Sequence, residues 1–210
     1  MTEAGEAEAT DYLSFYRTAQ GRAIAEAEAA LLDGLLRHGS ETLSIGCGPA
    51  IVEQKLLERR PDLAITGLDA SMAMLRHAPQ TMPVVQGQAE ALPFPDASFD
   101  AIMYITSLEF IAGYTKALDE ARRVLRPYGR LVALMLNPAT AYFRERYHRA
   151  DSYVQRHIEH PEHDKLMAAV AGRFTMLQDG YRLGVDADGT YESIDPEEAV
   201  LHMLEAIKHG

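Results

Sequence analysis

Along the chain, segments in which apolar residues recur at helical spacing alternate with short continuous apolar runs. Between residues 22 and 36, apolar side chains recur every three or four positions, which predicts an amphipathic helix. The run ETLSI (41–45) predicts a strand that enters the glycine-rich turn GCG (46–48). Pro49 and the apolar positions behind it predict a helix that ends before Pro61. Strand, turn and helix therefore follow one another directly.

Four further apolar runs predict strands, and they are LAITGL (63–68), MPVVQG (82–87), FDAIMYI (99–105) and RLVALML (130–136). Residues 114–125, between the last two runs, place apolar side chains on one helical face. Strands that alternate with helices form parallel sheets, and their crossovers are right-handed. The pattern therefore predicts an α/β protein with a doubly wound, mostly parallel, Rossmann-like sheet and helices on both faces.

Regions outside this alternation give weaker patterns. Residues 1–10 are small and acidic, which predicts a frayed start. Apolar side chains from Phe143 to Ile158, including Ala150, lie three or four positions apart and predict one helix that ends before Pro161. A shorter helix is expected after this proline.

The C-terminal segment combines turn signals with one helix signal. TMLQDGYRLGV (175–185) and TYESI (190–194) flank the turn DADG and predict a hairpin of edge strands. Asp195 and Pro196 suit the cap and first turn of a helix, so residues 195–210 are predicted to form a C-terminal helix.

Composition narrows the class of protein. The chain has 210 residues, 47% of them hydrophobic and 24% charged, which fits one globular domain without a membrane span. Acidic residues stand where a signal peptide would have basic ones, so we expect a cytoplasmic location. A formal net charge of −11 disfavours nucleic acid as a partner. Because Cys47 is the single cysteine, an internal disulfide and a cysteine zinc cage are excluded.

The glycine turn is the first candidate for a binding site. Doubly wound sheets bind ligands at the carboxyl ends of their strands, beside the first strand. Gly46 and Gly48 let the backbone approach a ligand, and the helix after the turn attracts an anionic group. Asp69 ends the next strand, where a carboxylate either accepts hydrogen bonds from both ribose hydroxyls or caps the following turn. Ile51 occupies the third glycine position of G-x-G-x-x-G, which disfavours a nicotinamide cofactor.

Four ordered motifs extend this pattern, and they are SIGCGPA (44–50), GLDAS (67–71), GQAEALPFPDASFDAI (87–102) and EARRVLRPYGRLV (120–132). Through them, residues 12–138 resemble a class I S-adenosylmethionine-dependent methyltransferase. The similarity is to the ubiquinone/menaquinone-biosynthesis type, the methyltransferase type 11 domain. Ser44 replaces the acid of the first motif, Ala50 replaces its last glycine, and Tyr128 replaces a common glycine in the fourth motif.

The resemblance implies S-adenosylmethionine as the cofactor and assigns residues to it. Gly46, Cys47 and Gly48 would lie against the methionine end of the cofactor, and Asp69 would hold the ribose. Cys47 would serve there as a small side chain and not as a reactive thiol.

Other positions are expected around the adenine and over the cofactor. Ala70 and Met72 would border the adenine, and Gln88 replaces an aspartate that accepts a hydrogen bond from the adenine amino group. The same cofactor site is expected to include Ala89, Glu90 and Ile105. Tyr16 is either a lid residue over the cofactor or a core residue ahead of the first helix.

The chemistry that the resemblance implies needs positioning above all, because a sulfonium methyl group is already activated. A general base is required only if the acceptor must lose a proton. Glu109 follows the fourth strand and is the candidate for that role, although it can equally begin the next helix. His157, His160 and His163 surround Pro161, which interrupts the helix that would align them, so no metal site is expected.

Together these observations predict a single methyltransferase domain over residues 1–210. Its parts are a helical cap (1–40), a cofactor-binding core (41–138), a helical lid (139–172) and a segment of edge strands with a final helix (173–210). The expected partner is a small-molecule acceptor, whose identity stays open, as does the oligomeric state. Two alternatives remain: a protein that binds the cofactor without turnover, and a nicotinamide-dependent oxidoreductase.

Overall fold

A computed structural model describes residues 3–149 and 152–210. Within them eight strands form one sheet, and they are β1 (Glu41–Ile45), β2 (Ala64–Asp69), β3 (Val84–Gln86), β4 (Phe99–Ile105), β5 (Leu125–Leu136), β6 (Thr175–Val185), β7 (Thr190–Tyr191) and β8 (Ala199–Ile207). The helices are α1 (Glu3–Tyr16), α2 (Ala19–Asp33), α3 (Ile51–Arg59), α4 (Met72–Leu75), α5 (Tyr114–Val124), α6 (Ala141–His148), α7 (Tyr153–His157) and α8 (Asp164–Ala171). Leu108–Phe110 form a 3₁₀ turn after β4.

The sheet has the strand order β3-β2-β1-β4-β5-β8-β6-β7. Strands β1 to β5 pair in parallel, and β1 lies between β2 and β4, so the winding direction reverses beside β1. Strands β8, β6 and β7 complete the sheet with antiparallel pairing. The predicted doubly wound, mostly parallel sheet is confirmed, and its reversal point is where ligands bind in such sheets.

Helices cover both faces of the sheet and bury two apolar cores. In β4, Ala101 and Met103 contribute to the core under α2 and α3, whereas Ile102 and Tyr104 contribute to the core under α5 and α8. Successive residues of a strand point to opposite faces, so a strand covered on both sides is apolar throughout. None of the described helices is both long and apolar enough to cross a membrane.

The N-terminal segment is helical from Glu3, so the prediction of a frayed stretch through residue 10 is wrong. Alanine and glutamate, which dominate this stretch, are strong helix formers. The helix packs against α2, α4 and α7, and Glu6 forms an ion pair with Arg76 at 3.1 Å. Tertiary contacts therefore stabilise a segment that its small side chains made look unstructured.

The helix predicted from Phe143 to Ile158 is two helices, α6 and α7, in the described residues. Helix α6 ends at His148, and Ser152 caps α7 by accepting a hydrogen bond from the Gln155 N–H at 3.1 Å. Residues 150 and 151 between them, and so the predicted core position Ala150, lie outside the described part of the chain. A capping serine in the middle of an apolar pattern separates two helices because its side chain replaces a helical hydrogen bond.

The predicted C-terminal helix is wrong, because residues 199–207 form strand β8. This strand lies between β5 and β6 and is buried along nearly its whole length. Asp195 does cap a turn, since its Oδ1 accepts a hydrogen bond from the Glu197 N–H, but the turn leads straight into β8. Pairing with two neighbouring strands has overridden the helix preference of this segment. The predicted hairpin of β6 and β7 is confirmed.

Candidate functional site

A cavity of about 490 Å³ opens at the carboxyl ends of β1, β2 and β4, and we call it the sheet-end cavity. The glycine turn, the end of β2 and the loop after β3 form one side of it, and helices α1 and α7 cover the other. Its lining includes Gly46, Gly48, Asp69, Ala70, Gln88 and Thr106. The position is the one predicted from the strand pattern, beside the reversal of the sheet.

Both glycines of the turn have left-handed backbone conformations, with φ of +73° at Gly46 and +52° at Gly48. A Cβ atom on Gly46 would lie 2.7 Å from the Ser107 Cβ, so a larger residue there would displace the loop after β4. At Gly48 a Cβ atom would meet no described atom within 4 Å, because this residue faces the open cavity. Gly46 is thus required for packing, while Gly48 leaves room for a ligand.

The turn is held to β2 by its own backbone. The N–H groups of Gly46 and Cys47 both donate to the Leu68 carbonyl, at 2.7 and 3.1 Å. The Gly48 N–H donates to Asp69 Oδ2 at 2.8 Å, and the Ser71 N–H donates to Asp69 Oδ1 at 2.7 Å. One carboxylate therefore fixes the turn and the start of the next loop together.

Asp69 retains the capacity to bind a ligand. Burial raises the pKa of its carboxyl group, and the N–H donors of Ser71 and Gly48 lower it. Each carboxylate oxygen accepts more than one hydrogen bond, so lone pairs remain for two neighbouring hydroxyl groups of a ligand. The expected contact of Asp69 with a ribose is compatible with this geometry and stays a prediction.

Cys47 lies behind the turn and not in the sheet-end cavity. A Cβ atom on Gly67 would lie 2.6 Å from its Sγ, which shows how closely the sulfur packs on β2. Cys47 lines a smaller adjoining cavity of about 20 Å³. Burial, with the nearby Glu53 and Asp69 carboxyl groups, raises the thiol pKa and keeps the thiol protonated. The side chain thus packs against β2, and the expected contact of this residue with the cofactor stays a prediction.

Ser44 stands where the family pattern has an acid, and a carboxyl group reaches it from α3. The Ser44 hydroxyl donates to Glu53 Oε1, and both residues are buried. Burial raises the pKa of Glu53 to about 7, against hydrogen bonds from Ser44 and from the Glu53 backbone that lower it. The substitution at Ser44 is therefore compensated by an acid nine positions later in the chain.

The far end of the sheet-end cavity contains most of the residues expected around an adenine. Ala70, Gln88, Ala89 and Glu90 line it. Met72 does not: it is 41% exposed at the start of α4, and Met74, two positions later, lines the cavity instead. In a helix, residues two positions apart lie on different faces, so only one of these methionines can face the ligand.

Helix α1 covers the cavity through Tyr12 and not through Tyr16. The two hydroxyl groups lie 3.3 Å apart, but only Tyr12 lines the sheet-end cavity. Its ring packs against the ring of Tyr153 from α7, with centroids 5.1 Å apart. Tyr16 is one helical turn further along and lines both a second cavity and the small cavity beside the glycine turn, so its expected place over the cofactor stays a prediction.

The second cavity, of about 240 Å³, lies among α1, α2, α6 and α7, and we call it the helix-capped cavity. Six aromatic side chains line it, including Phe15, Tyr16 and Tyr142. It shares a set of lining residues with the sheet-end cavity, which we call the shared wall and which consists of Tyr12, Thr106, Phe110 and Tyr153. Two ligands, one in each cavity, would therefore meet at this wall.

Thr106 occupies a strained position at the centre of the shared wall. Its φ of +44° is left-handed, and its N–H donates to the Leu134 carbonyl at 2.6 Å. Such a conformation costs about 1–2 kcal/mol in a residue with a Cβ atom, so the surrounding structure must enforce it. Ile105, the residue expected in the cofactor site, lines the smaller adjoining cavity.

Glu109 is fully buried and lines neither of the two larger cavities. Its Oε1 accepts a hydrogen bond from the Leu136 N–H at 2.9 Å, and its backbone carbonyl accepts from the N–H groups of Glu159 and His160. Burial raises the pKa of its carboxyl group to about 7. Because the 3₁₀ turn directs Glu109 into the protein, it joins β5 to the segment after α7, which corrects its expected role as a base.

Comparison with known proteins identifies a methyltransferase-like segment in the chain. The methyltransferase domain family matches residues 43–133, the segment that contains the glycine turn, Asp69 and β4. This segment is similar to the class I S-adenosylmethionine-dependent methyltransferases, and S-adenosylmethionine is the cofactor that this class implies.

Two curated relatives match part of the chain. A demethylmenaquinone methyltransferase of Deinococcus radiodurans is 37% identical over 117 residues, which cover 52% of this chain and 48% of that protein. The uncharacterized methyltransferase YdaC of Bacillus subtilis is 29% identical over 111 residues, covering 50% and 61% of the two chains. The chain thus spans about half to three-fifths of the length of these curated relatives.

A solved structure extends the likeness to the whole chain. A methyltransferase of Thermotoga maritima, described as a possible histamine N-methyltransferase, superposes with a TM-score of 0.78 at 20% identity. The superposition covers 97% of each chain. At this identity the likeness concerns the fold, including its antiparallel strands after β5.

Proposed function

We propose that this protein transfers the methyl group of S-adenosylmethionine to a small-molecule acceptor. The observation that supports this best is the pair of cavities that meet at the shared wall. The sheet-end cavity has a glycine turn and a carboxylate suited to an adenosyl cofactor, and the helix-capped cavity offers a separate space for an acceptor.

In this proposal the sheet-end cavity holds the cofactor in an extended form. Asp69 accepts hydrogen bonds from the ribose hydroxyls, and Gly48 leaves space beside the turn. Met74 and Ala89 border the adenine, with the Gln88 side chain as an acceptor for its amino group. The methionine end then lies toward Gly46 and the shared wall.

The cofactor supplies an electrophilic methyl group and becomes S-adenosylhomocysteine when the methyl–sulfur bond breaks. The residues of this chain act by positioning. Tyr12, Phe110 and Tyr153 confine the acceptor at the junction of the cavities, and their rings limit the access of water. Holding two reactants in line can supply about 7–11 kcal/mol of a barrier, so positioning alone is a sufficient role for these side chains.

The acceptor is proposed to be a small molecule because the helix-capped cavity is compact, at about 240 Å³, and has several aromatic side chains in its lining. The relatives named above are a demethylmenaquinone methyltransferase and a possible histamine N-methyltransferase, and both names specify small acceptors. A cytoplasmic location stays a prediction from composition.

Calorimetric titration with S-adenosylmethionine tests the cofactor site. We expect Asp69→Ala to weaken binding by about 1.5–3 kcal/mol, the scale of hydrogen bonds to a charged group. Asp188→Asn, an exposed acid in the distant hairpin turn, serves as the control and should leave the affinity unchanged. Equal affinities of the wild type and Asp69→Ala would remove Asp69 from the site.

Turnover is tested with methyl-labelled cofactor and a panel of small acceptors, with S-adenosylhomocysteine formation as the readout. Transfer of label to any acceptor would reject a protein that only binds the cofactor. Thermal stabilisation by NAD but not by S-adenosylmethionine would revive the nicotinamide alternative. The relatives named above favour neither alternative.

A further inference from the structure

Helix α2 carries an acid in its buried face. Glu28 lies one helical turn from both Ile24 and Leu32 and is only 2% exposed. None of the described residues forms a hydrogen bond with its Oε2 atom, which is inaccessible to solvent. A buried carboxyl oxygen without a partner is costly, about 1–3 kcal/mol or more. An acid kept at such a position therefore calls for a ligand that satisfies it.

Glu28 lines the helix-capped cavity beside aromatic and aliphatic side chains, while further charged side chains, including Glu145 and Arg146, also line the cavity. Ile24, Phe15 and Tyr16 lie beside it in the lining, whereas Glu145 is exposed, at the outer part of the cavity. The arrangement places one unsatisfied polar group against an apolar space. This is how compact pockets orient a ligand: an apolar surface binds its body and one polar group binds its functional group.

The charges around Glu28 favour a cation. Burial above all, together with the nearby carboxyl groups of Glu53 and Glu109, raises the pKa of Glu28 to about 8. An anionic ligand would add to the repulsion among these carboxyl groups, and a neutral hydroxyl group would not offset that repulsion. A bound ammonium group supplies both a hydrogen-bond donor and the opposite charge.

Arg146, a cation that lines the same cavity, is already held elsewhere. Its guanidinium carbon lies 3.5 Å from the centre of the Tyr142 ring and 5.3 Å from the centre of the Phe15 ring. Its nitrogens donate to the Tyr142 carbonyl and to the Gln20 side chain, each at the long end of hydrogen-bond range. The position of Arg146 over these two rings shows that the aromatic side chains of the cavity accommodate a positive charge.

We propose that Glu28 binds the ammonium group of the acceptor, so that the substrates of this protein are small amines with an apolar or aromatic body. This rests on the proposed function, which supplies the methyl donor. The cavity of about 240 Å³ is smaller than a typical drug-sized pocket, so the amine is a compact one.

Three probes of similar size and different charge test the proposal: 2-phenylethylamine, 2-phenylethanol and phenylacetate. Binding of each is measured by calorimetry near pH 8, with and without saturating S-adenosylhomocysteine. The variants are Glu28→Gln, which removes the charge and keeps the shape, and Glu26→Gln, the same change on the outer side of helix α2. Glu26 pairs with Lys55 and Arg59 at the surface and so controls for the substitution itself.

We expect the wild type to bind the amine most tightly and phenylacetate most weakly. Glu28→Gln should weaken amine binding at least about tenfold, the scale of a charge-assisted hydrogen bond, and should leave the alcohol within about threefold. Glu26→Gln should bind all three probes like the wild type. S-adenosylhomocysteine should bind all three proteins equally.

Each contrary result overturns a distinct statement. If the amine binds no better than the alcohol, or if Glu28→Gln leaves amine binding unchanged, Glu28 is not an ammonium site. Tightest binding of phenylacetate would assign the cavity to anionic acceptors, and tightest binding of the alcohol would assign it to hydroxyl acceptors. Failure of S-adenosylhomocysteine to bind would reject the proposed function, whereas the amine measurements without it would still decide the role of Glu28.

Discussion

The two cavities of this protein are built from different materials. The sheet-end cavity is shaped mainly by backbone, through the left-handed glycines and the N–H groups that Asp69 binds. The helix-capped cavity is shaped by side chains from two pairs of helices, α1 with α2 and α6 with α7, that are far apart in the sequence. A backbone site depends on local turns and keeps its form when surface residues change. A side-chain site can be altered one residue at a time, which suits the variable partner of a two-substrate reaction.

The largest effect is expected when a methyl group is added to the glycine turn of the sheet-end cavity. Gly46→Ala should lower the free energy of unfolding by about 1–2 kcal/mol for its left-handed conformation and about 1–3 kcal/mol more for the contact with Ser107. Gly39→Ala is the matched control, because Gly39 has a similar φ of +67° and no described atom within 4 Å of the added carbon. Urea unfolding of both variants measures the difference, and equal losses would show that the contact with Ser107 is relieved without cost.

A second test concerns the acid of the side-chain site and the pH. The folded pKa of Glu28, about 8, lies above that of a glutamate in the unfolded chain, so the folded state binds the extra proton between about pH 4.5 and 8. Stability from this group is therefore complete below about pH 4.5 and is lost as the pH rises through 8.

Glu28→Gln cannot lose this proton. We expect the melting temperature of the wild type to fall from pH 5 to pH 8 by at least about 5 °C more than that of Glu28→Gln. Glu53 and Glu109, whose pKa values are also raised by burial, remain in both proteins, so the difference between the curves measures Glu28 together with its interaction with these two carboxyl groups. Parallel curves in differential scanning calorimetry would contradict the raised pKa of Glu28.

The smallest test compares two methionines of helix α4. Met74 lines the sheet-end cavity and Met72 is exposed, so Met74→Ala should weaken S-adenosylhomocysteine binding by about 1 kcal/mol through lost apolar contact. Met72→Ala should leave it unchanged. Calorimetry on both variants, after their circular dichroism spectra are matched, decides between them. A larger effect at Met72 would restore the assignment that the family resemblance implied.

The backbone site could be predicted from the sequence because its signals are local. A strand, two glycines and a helix stand in sequence order, and Asp69 follows the next strand, so strand pattern and motif place them at one edge of the sheet. Strands β1 to β5 are predictable for the same reason, since buried parallel strands are continuous apolar runs. What remained out of reach there was the side-chain direction, as Met72 and Cys47 show.

The side-chain site could not be predicted because its residues meet only in three dimensions. Glu28 gave one signal, an acid one helical turn from Ile24 in the apolar face of α2, and a buried acid in that pattern is distinguishable from a surface acid only by structure. Tyr12 and Tyr16 differ by one turn of α1, so sequence spacing alone does not decide which cavity each one faces. A helix was predicted where β8 lies because leucine, methionine and glutamate have high helix propensity. Pairing with two neighbouring strands overrides that propensity.

The shared wall affects how the acceptor specificity of such a protein can change by mutation. A mutation at Tyr12 or Tyr153 alters the surface that contacts both ligands. A mutation there that improves binding of a new acceptor therefore also changes the affinity for the methyl donor. A mutation at the Glu28 end touches the recipient alone. Substitutions near Glu28 can therefore change which acceptor binds without altering the contact with the methyl donor, whereas substitutions in the shared wall change both.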